Sequence, residues 1–136
     1  MATIIKDILI DVRPENAWDA VRDFGAVHKR LVPGFVTDCR LEGDTRVVTF
    51  ANGMVAREPL VGIDEKARRL AYAAVGGRTT HYNASVQIFA EGKDRTRFVW
   101  TIDLLPNELA GPIGAMAEQG AIAIKQTLER EAARQS

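Results

Sequence analysis

The sequence predicts an α+β fold: a curved antiparallel sheet of about six or seven strands wrapped around one long C-terminal helix, with two short helices after the first strand. Three observations predict it. Apolar residues alternate with period two through a series of segments separated by turn signals such as Gly43-Asp44, Asn52-Gly53 and Gly76-Gly77. Helical spacing is confined to two places, residues 14–31 and 107–136. Strands gathered in one run, with helices set apart from them, build α+β architectures.

Taken in order, residues 3–12 are dense in β-branched side chains and form a strand that Pro14 stops. Pro14 then opens a helix, with Glu15 favourable beside its N-terminal dipole, and Ala17, Trp18, Val21 and Phe24 share one face. Gly25 breaks this helix, a second short one covers residues 26–31, and Pro33-Gly34 ends it. In 35–41, Phe35, Thr37, Cys39 and Leu41 alternate with a more charged set and are expected to face inward. Strands follow at 46–50, 54–63, 70–75, 81–89 and 96–104, the first two joined by the Asn52-Gly53 hairpin signal. Pro106 closes the sheet, and Asn107 is expected to cap the final helix, whose regular part begins near Pro112.

That final helix presents Ile113, Met116, Gly120, Ile124 and Leu128 at intervals of three and four, with Ala117 and Ala121 beside them. The stripe is unusually small, and a mid-helix glycine costs roughly 1 kcal/mol against alanine. Such a face either admits another group closely or leaves room for a ligand; room is the expectation. Strand parity names the other walls: Tyr72, Tyr82 and Trp100 face the same interior. On 54–63, parity that turns Ala56 and Leu60 inward turns Glu58 inward as well. A carboxylate in an apolar lining is costly unless paired or protonated, which makes Glu58 a candidate for ligand contact or proton transfer.

Bulk properties exclude several classes. With 18 basic and 18 acidic residues in a chain of 136, no basic surface for nucleic acid is expected. Cys39 is the only cysteine, no charged n-region precedes an apolar run, and no apolar stretch is long enough to span a membrane; a cytoplasmic location is expected. The serines, Ser85 and Ser136, lie in no G-x-S-x-G elbow. His28 and His81 have no partners at metal-ligand spacing, and no glycine-rich loop leads into a helix, so neither metal nor cofactor is expected.

The ordered set Pro14-Glu15, Trp18, Asp23-Phe24-Gly25, Pro33-Gly34, Ala56-Arg57-Glu58-Pro59-Leu60, Leu70-Ala71-Tyr72, Gly76-Gly77, Tyr82 and Val86 is similar to the SRPBCC superfamily. This is the START-like, helix-grip group that includes polyketide cyclase/dehydrase-type proteins, birch pollen allergen-like proteins and the abscisic acid receptors. The resemblance covers nearly the whole chain and implies one ligand-binding domain over 1–136. It implies that Glu58, Tyr72, Tyr82, Met116, Gly120 and Ile124 line a cavity, to which strand parity adds Trp100 as a candidate wall. At the position where the abscisic acid receptors place a lysine for the ligand carboxylate, this chain has Thr37. The resemblance does not extend to the receptors' gate and latch loops, which argues against a hormone-receptor role.

Two functions follow as expectations. In the first, a small hydrophobic or amphipathic ligand (a lipid, polyketide or aromatic molecule) is bound between sheet and helix and oriented by Glu58 and Tyr82. In the second, a polyketide cyclase/dehydratase-type enzyme uses Glu58 as general base and Tyr82 as hydrogen-bond donor to an enolate. The oligomeric state is left open, a homodimer included.

Overall fold

A computed structural model gives the structure of the chain and describes residues 1–135. Strand β1 (Ala2–Ile10) leads into helix α1 (Pro14–Arg22), a 3-10 turn (Phe24–Ala26) and the short helix α2 (Val27–Arg30). Six strands follow: β2 (Val36–Glu42), β3 (Thr45–Phe50), β4 (Val55–Asp64), β5 (Arg69–Ala73), β6 (His81–Ala90) and β7 (Thr96–Leu105). A 3-10 turn (Asn107–Leu109) then enters the closing helix α3 (Ala110–Gln135). The seven strands form one antiparallel sheet in the order β1-β7-β6-β5-β4-β3-β2, a meander whose far edge is completed by β1. This is the helix-grip architecture.

The expected alternation holds along most of the sheet. Ala84, Val86 and Ile88 on β6, and Phe98, Ile102 and Leu104 on β7, are buried, as are Leu70 and Tyr72 on β5. Opposite them, α3 buries Ala117, Gly120, Ala121, Ile124, Thr127 and Leu128. Two register shifts, one beside Val36 and one beside Leu60, interrupt the ladders on either side of β3–β4. An extra residue in one strand bends it and increases local twist, which lets a sheet curl around a helix.

Turn chemistry fixes the β3–β4 hairpin. Gly53 has φ +89°, a region where an L side chain is strained, and the Asn52 carboxamide oxygen accepts from the Met54 amide at 2.9 Å. Helix α1 is pinned at its other end. The buried Trp18 indole donates to Glu65 Oε1 at 2.7 Å, and Arg22 donates to both oxygens of the same carboxylate. Glu65 lies in the turn between β4 and β5, so one exposed carboxylate ties the first helix to the middle of the sheet.

Two expectations are corrected. Asn107 is not a cap: it is the first residue of the 3-10 turn, whose preceding position is Pro106, and no side chain caps it. The inward set on β2 is also different from simple alternation. Thr37 falls in the register shift between Val36 and Asp38, so Val36 is buried, Cys39 is half-buried and Thr37 is exposed. Its hydroxyl donates to the backbone carbonyl of Thr49 on the neighbouring strand at 3.2 Å.

Candidate functional site

Between the curled sheet and α3 lie two chambers that share part of their walls. The inner chamber has a volume of about 90 Å³ and is walled by apolar side chains from α1, α2, α3 and the sheet. The outer chamber, about 540 Å³, opens between the β3–β4 hairpin, the segment after β5 and the start of α3. Phe35, Phe50, Glu58, Tyr82, Ile113 and Met116 border both. The outer volume alone falls within the roughly 300–1,000 Å³ of small-molecule sites, and a mostly apolar wall with a few convergent polar groups is their usual composition.

Of the residues singled out from the sequence, Glu58, Tyr72, Tyr82, Trp100, Met116, Gly120 and Ile124 all border the inner chamber, whereas Thr37 borders neither. Strict alternation from Phe35 turns Thr37 inward; the bulge breaks that alternation, so Phe35 and Val36 both line the inner chamber and Thr37 does not. His81 is exposed at the start of β6, and His28 is half-buried on α2 with Nδ1 buried and without a hydrogen-bond partner; neither lines the chambers. Among the described residues no group of three His, Cys, Asp or Glu side chains could hold a metal ion.

The residue that sequence reasoning missed is Arg46. On β3 it is the register partner of Glu58 on β4, and its Nε donates to Glu58 Oε1 at 2.7 Å. Both residues are more than nine-tenths buried. The guanidinium is held between two rings, 4.1 Å from the Phe24 centroid and 4.8 Å from that of Tyr72, and Nη1 reaches the Phe24 carbonyl at 3.4 Å. Arginine stacks on aromatic faces and is the basic side chain best suited to a buried ion pair. The carboxylate expected to stand alone in an apolar wall therefore has a fixed counter-ion.

A chain of polar groups runs on from this pair. The Trp100 indole donates to the Tyr72 hydroxyl at 3.2 Å, and the Tyr72 and Tyr82 rings lie 6.5 Å apart. Burial first, then the Glu58 charge, pushes the Tyr72 phenol up to about 12. Burial, followed by Tyr72 and Glu58, pushes the Tyr82 phenol well above its ordinary value. Both phenols are thus neutral hydrogen-bond donors near neutral pH.

Gly120 has a specific job here. A Cβ at this position would meet Cζ3 of Trp100 at 3.2 Å and Cη2 at 3.3 Å. At this point the small stripe admits the edge of an indole rather than leaving empty volume. Gly111 is exposed and lines neither chamber, so it adds no room to the cavity.

Comparison with known proteins agrees with this architecture. Residues 1–135 match the family model described as polyketide cyclase/dehydrase and lipid transport. A Thermobifida fusca protein solved in solution is similar at 25% identity and a TM-score of 0.79, with 98% of this chain and 95% of that one covered. The protein XoxI from Bacillus cereus superposes with a TM-score of 0.84 at 19% identity, over 94% of this chain and 96% of its own. A START superfamily protein from Mycobacterium smegmatis superposes with a TM-score of 0.76 at 13% identity, over 98% and 99%. No curated protein matches the sequence. With the family pattern spanning the described chain and the sheet gripping the closing helix as in START proteins, the chain belongs to the polyketide cyclase/dehydrase and lipid transport family of the SRPBCC superfamily.

Proposed function

We propose that the chain binds a small hydrophobic or amphipathic molecule between the sheet and α3, with the molecule's polar end at Glu58 and Tyr82 and its apolar body in the outer chamber. One observation carries this reading: Glu58 and Tyr82, which belong to a buried polar group with Arg46, Tyr72 and Trp100, border both chambers of a mostly apolar cavity. Apolar walls supply affinity through burial, and a few fixed polar groups supply orientation. The whole chain acts as one binding domain in this reading.

Native mass spectrometry of the protein purified gently from its own source tests it. A discrete added mass that is lost on denaturation supports the reading and gives the ligand's composition. A bare chain mass, together with no binding of the naphthalene probes described below, rejects it.

The cyclase/dehydratase reading uses Glu58 and Tyr82 and is favoured by one observation, that both line the outer chamber, where a neutral Tyr82 phenol is available to donate to a developing enolate. Against it stands Arg46, whose Nε already donates to Glu58 Oε1 and leaves only Oε2 to receive a proton. The two readings separate on Glu58→Gln once the bound molecule is in hand. A binding protein loses or changes affinity alone, whereas an enzyme loses turnover with affinity retained.

A further inference from the structure

We infer that the cavity selects an uncharged ligand whose polar end both donates and accepts a hydrogen bond, and that the Arg46–Glu58 pair is the element that rejects carboxylates and amines. This rests on the binding reading above and adds the chemical class of the ligand.

The inner chamber is lined by one cation and one anion, and these two already neutralise each other at 2.7 Å. A carboxylate arriving there would be desolvated beside Glu58, and the guanidinium that could receive it is committed on Nε to Glu58 and held by the Phe24 and Tyr72 rings. An ammonium would meet Arg46 in the same way. Bringing an uncompensated charge into a buried site beside a like charge is strongly unfavourable, and this is how a site discriminates by repulsion as well as attraction. A neutral hydroxyl or enol meets no such barrier. It can donate toward the Glu58 carboxylate and accept from a Tyr82 phenol, both of which border the outer chamber where the ligand body would lie. Arg78 also borders that chamber but is exposed, so an anion beside it keeps its water and gains little.

The test is calorimetric titration at neutral pH with three probes of one shape: 1-naphthol, 1-naphthoate and 1-naphthylmethylammonium. For the natural sequence, 1-naphthol is expected to bind at least tenfold more tightly than either charged probe. Naphthoate or the ammonium binding as tightly as naphthol overturns the inference and leaves the binding reading standing. Binding of none of the three overturns both.

Two variants read the cause. Glu58→Gln frees the guanidinium and is expected to reverse the order so that naphthoate binds most tightly. Arg46→Met frees the carboxylate and is expected to favour the ammonium. Either variant folding, by far-UV circular dichroism, with the natural preference unchanged overturns the assignment to this pair. If neither folds alone, the ranking in the natural sequence decides.

Discussion

Arg46 and Glu58 face each other across the β3–β4 ladder, and their side chains close to 2.7 Å inside the cavity. The pair is buried, so the cost of desolvating two charges is set against their attraction and the stacking of the guanidinium on Phe24 and Tyr72. Removing one partner leaves the other uncompensated. Arg46→Met alone is expected to lower the unfolding free energy by about 3–5 kcal/mol. The double change Arg46→Met with Glu58→Leu is expected to recover most of that loss or to exceed the natural stability, because an apolar pair carries no desolvation cost. Urea unfolding followed by tryptophan fluorescence measures both. A double variant no more stable than the single one would mean that the pair contributes more than charge compensation.

How much of this was legible in the sequence depends on the element. Period-two alternation predicts the inner faces of β6 and β7, and the three-and-four spacing predicts the face of α3, because those elements are regular over many residues. Glu58 was legible for the same reason: β4 keeps its parity from Ala56 to Leu60. Thr37 was misplaced because a bulge leaves no clear mark in local composition, and a single inserted residue turns every later side chain over. Arg46 was not legible from the turn signal: a two-residue Asn52-Gly53 loop would set it opposite Pro59. The structure closes the hairpin with three residues, Ala51, Asn52 and Gly53, between Phe50 and Met54, and this register sets Arg46 opposite Glu58.

Gly120 tests the packing of α3 on the sheet. An alanine there improves helix propensity by roughly 1 kcal/mol. Its methyl would press on the Trp100 ring at 3.2–3.3 Å, but that ring borders the inner chamber and can give by a few tenths of an ångström. Gly120→Ala is therefore expected to leave stability unchanged or raise it by up to about 1 kcal/mol, while shifting the Trp100 emission. Gly120→Leu carries too much volume for that relief and is expected to abolish binding of 1-naphthol. Thermal unfolding and naphthol titration of the two variants check the contrast. Undiminished binding by the leucine variant would show that the ligand does not reach this part of the cavity.

Thr37 is the control. It is exposed, lines neither chamber and spends its hydroxyl on the Thr49 carbonyl at the bulge. Thr37→Val is expected to leave naphthol affinity within twofold of the natural protein and to cost about 0.5–1.5 kcal/mol of stability for the lost hydrogen bond. Calorimetric titration and urea unfolding report the two quantities. A loss of affinity without a loss of stability would return Thr37 to the ligand site.

Tyr72 and Tyr82 are the only tyrosines in the chain, so the ultraviolet titration of phenolate reports this site alone. Burial raises both phenols in the folded state, Tyr72 to about 12. An unfolded chain titrates near the ordinary phenol value of about 10. Below that value both states hold the protons and the stabilisation is fully present. As pH climbs from there toward 12, the unfolded state releases protons that the folded state keeps, and stability falls by up to about 1.4 kcal/mol per pH unit for each phenol. The native protein is thus expected to show little phenolate absorbance at pH values where a urea-unfolded sample is half ionised. Unfolding free energy should decline through the same window. Tyr72→Phe is expected to flatten that decline, because the raised phenol is gone. A native titration that overlays the unfolded one would mean that water reaches both hydroxyls, and the cavity would then be open to its floor.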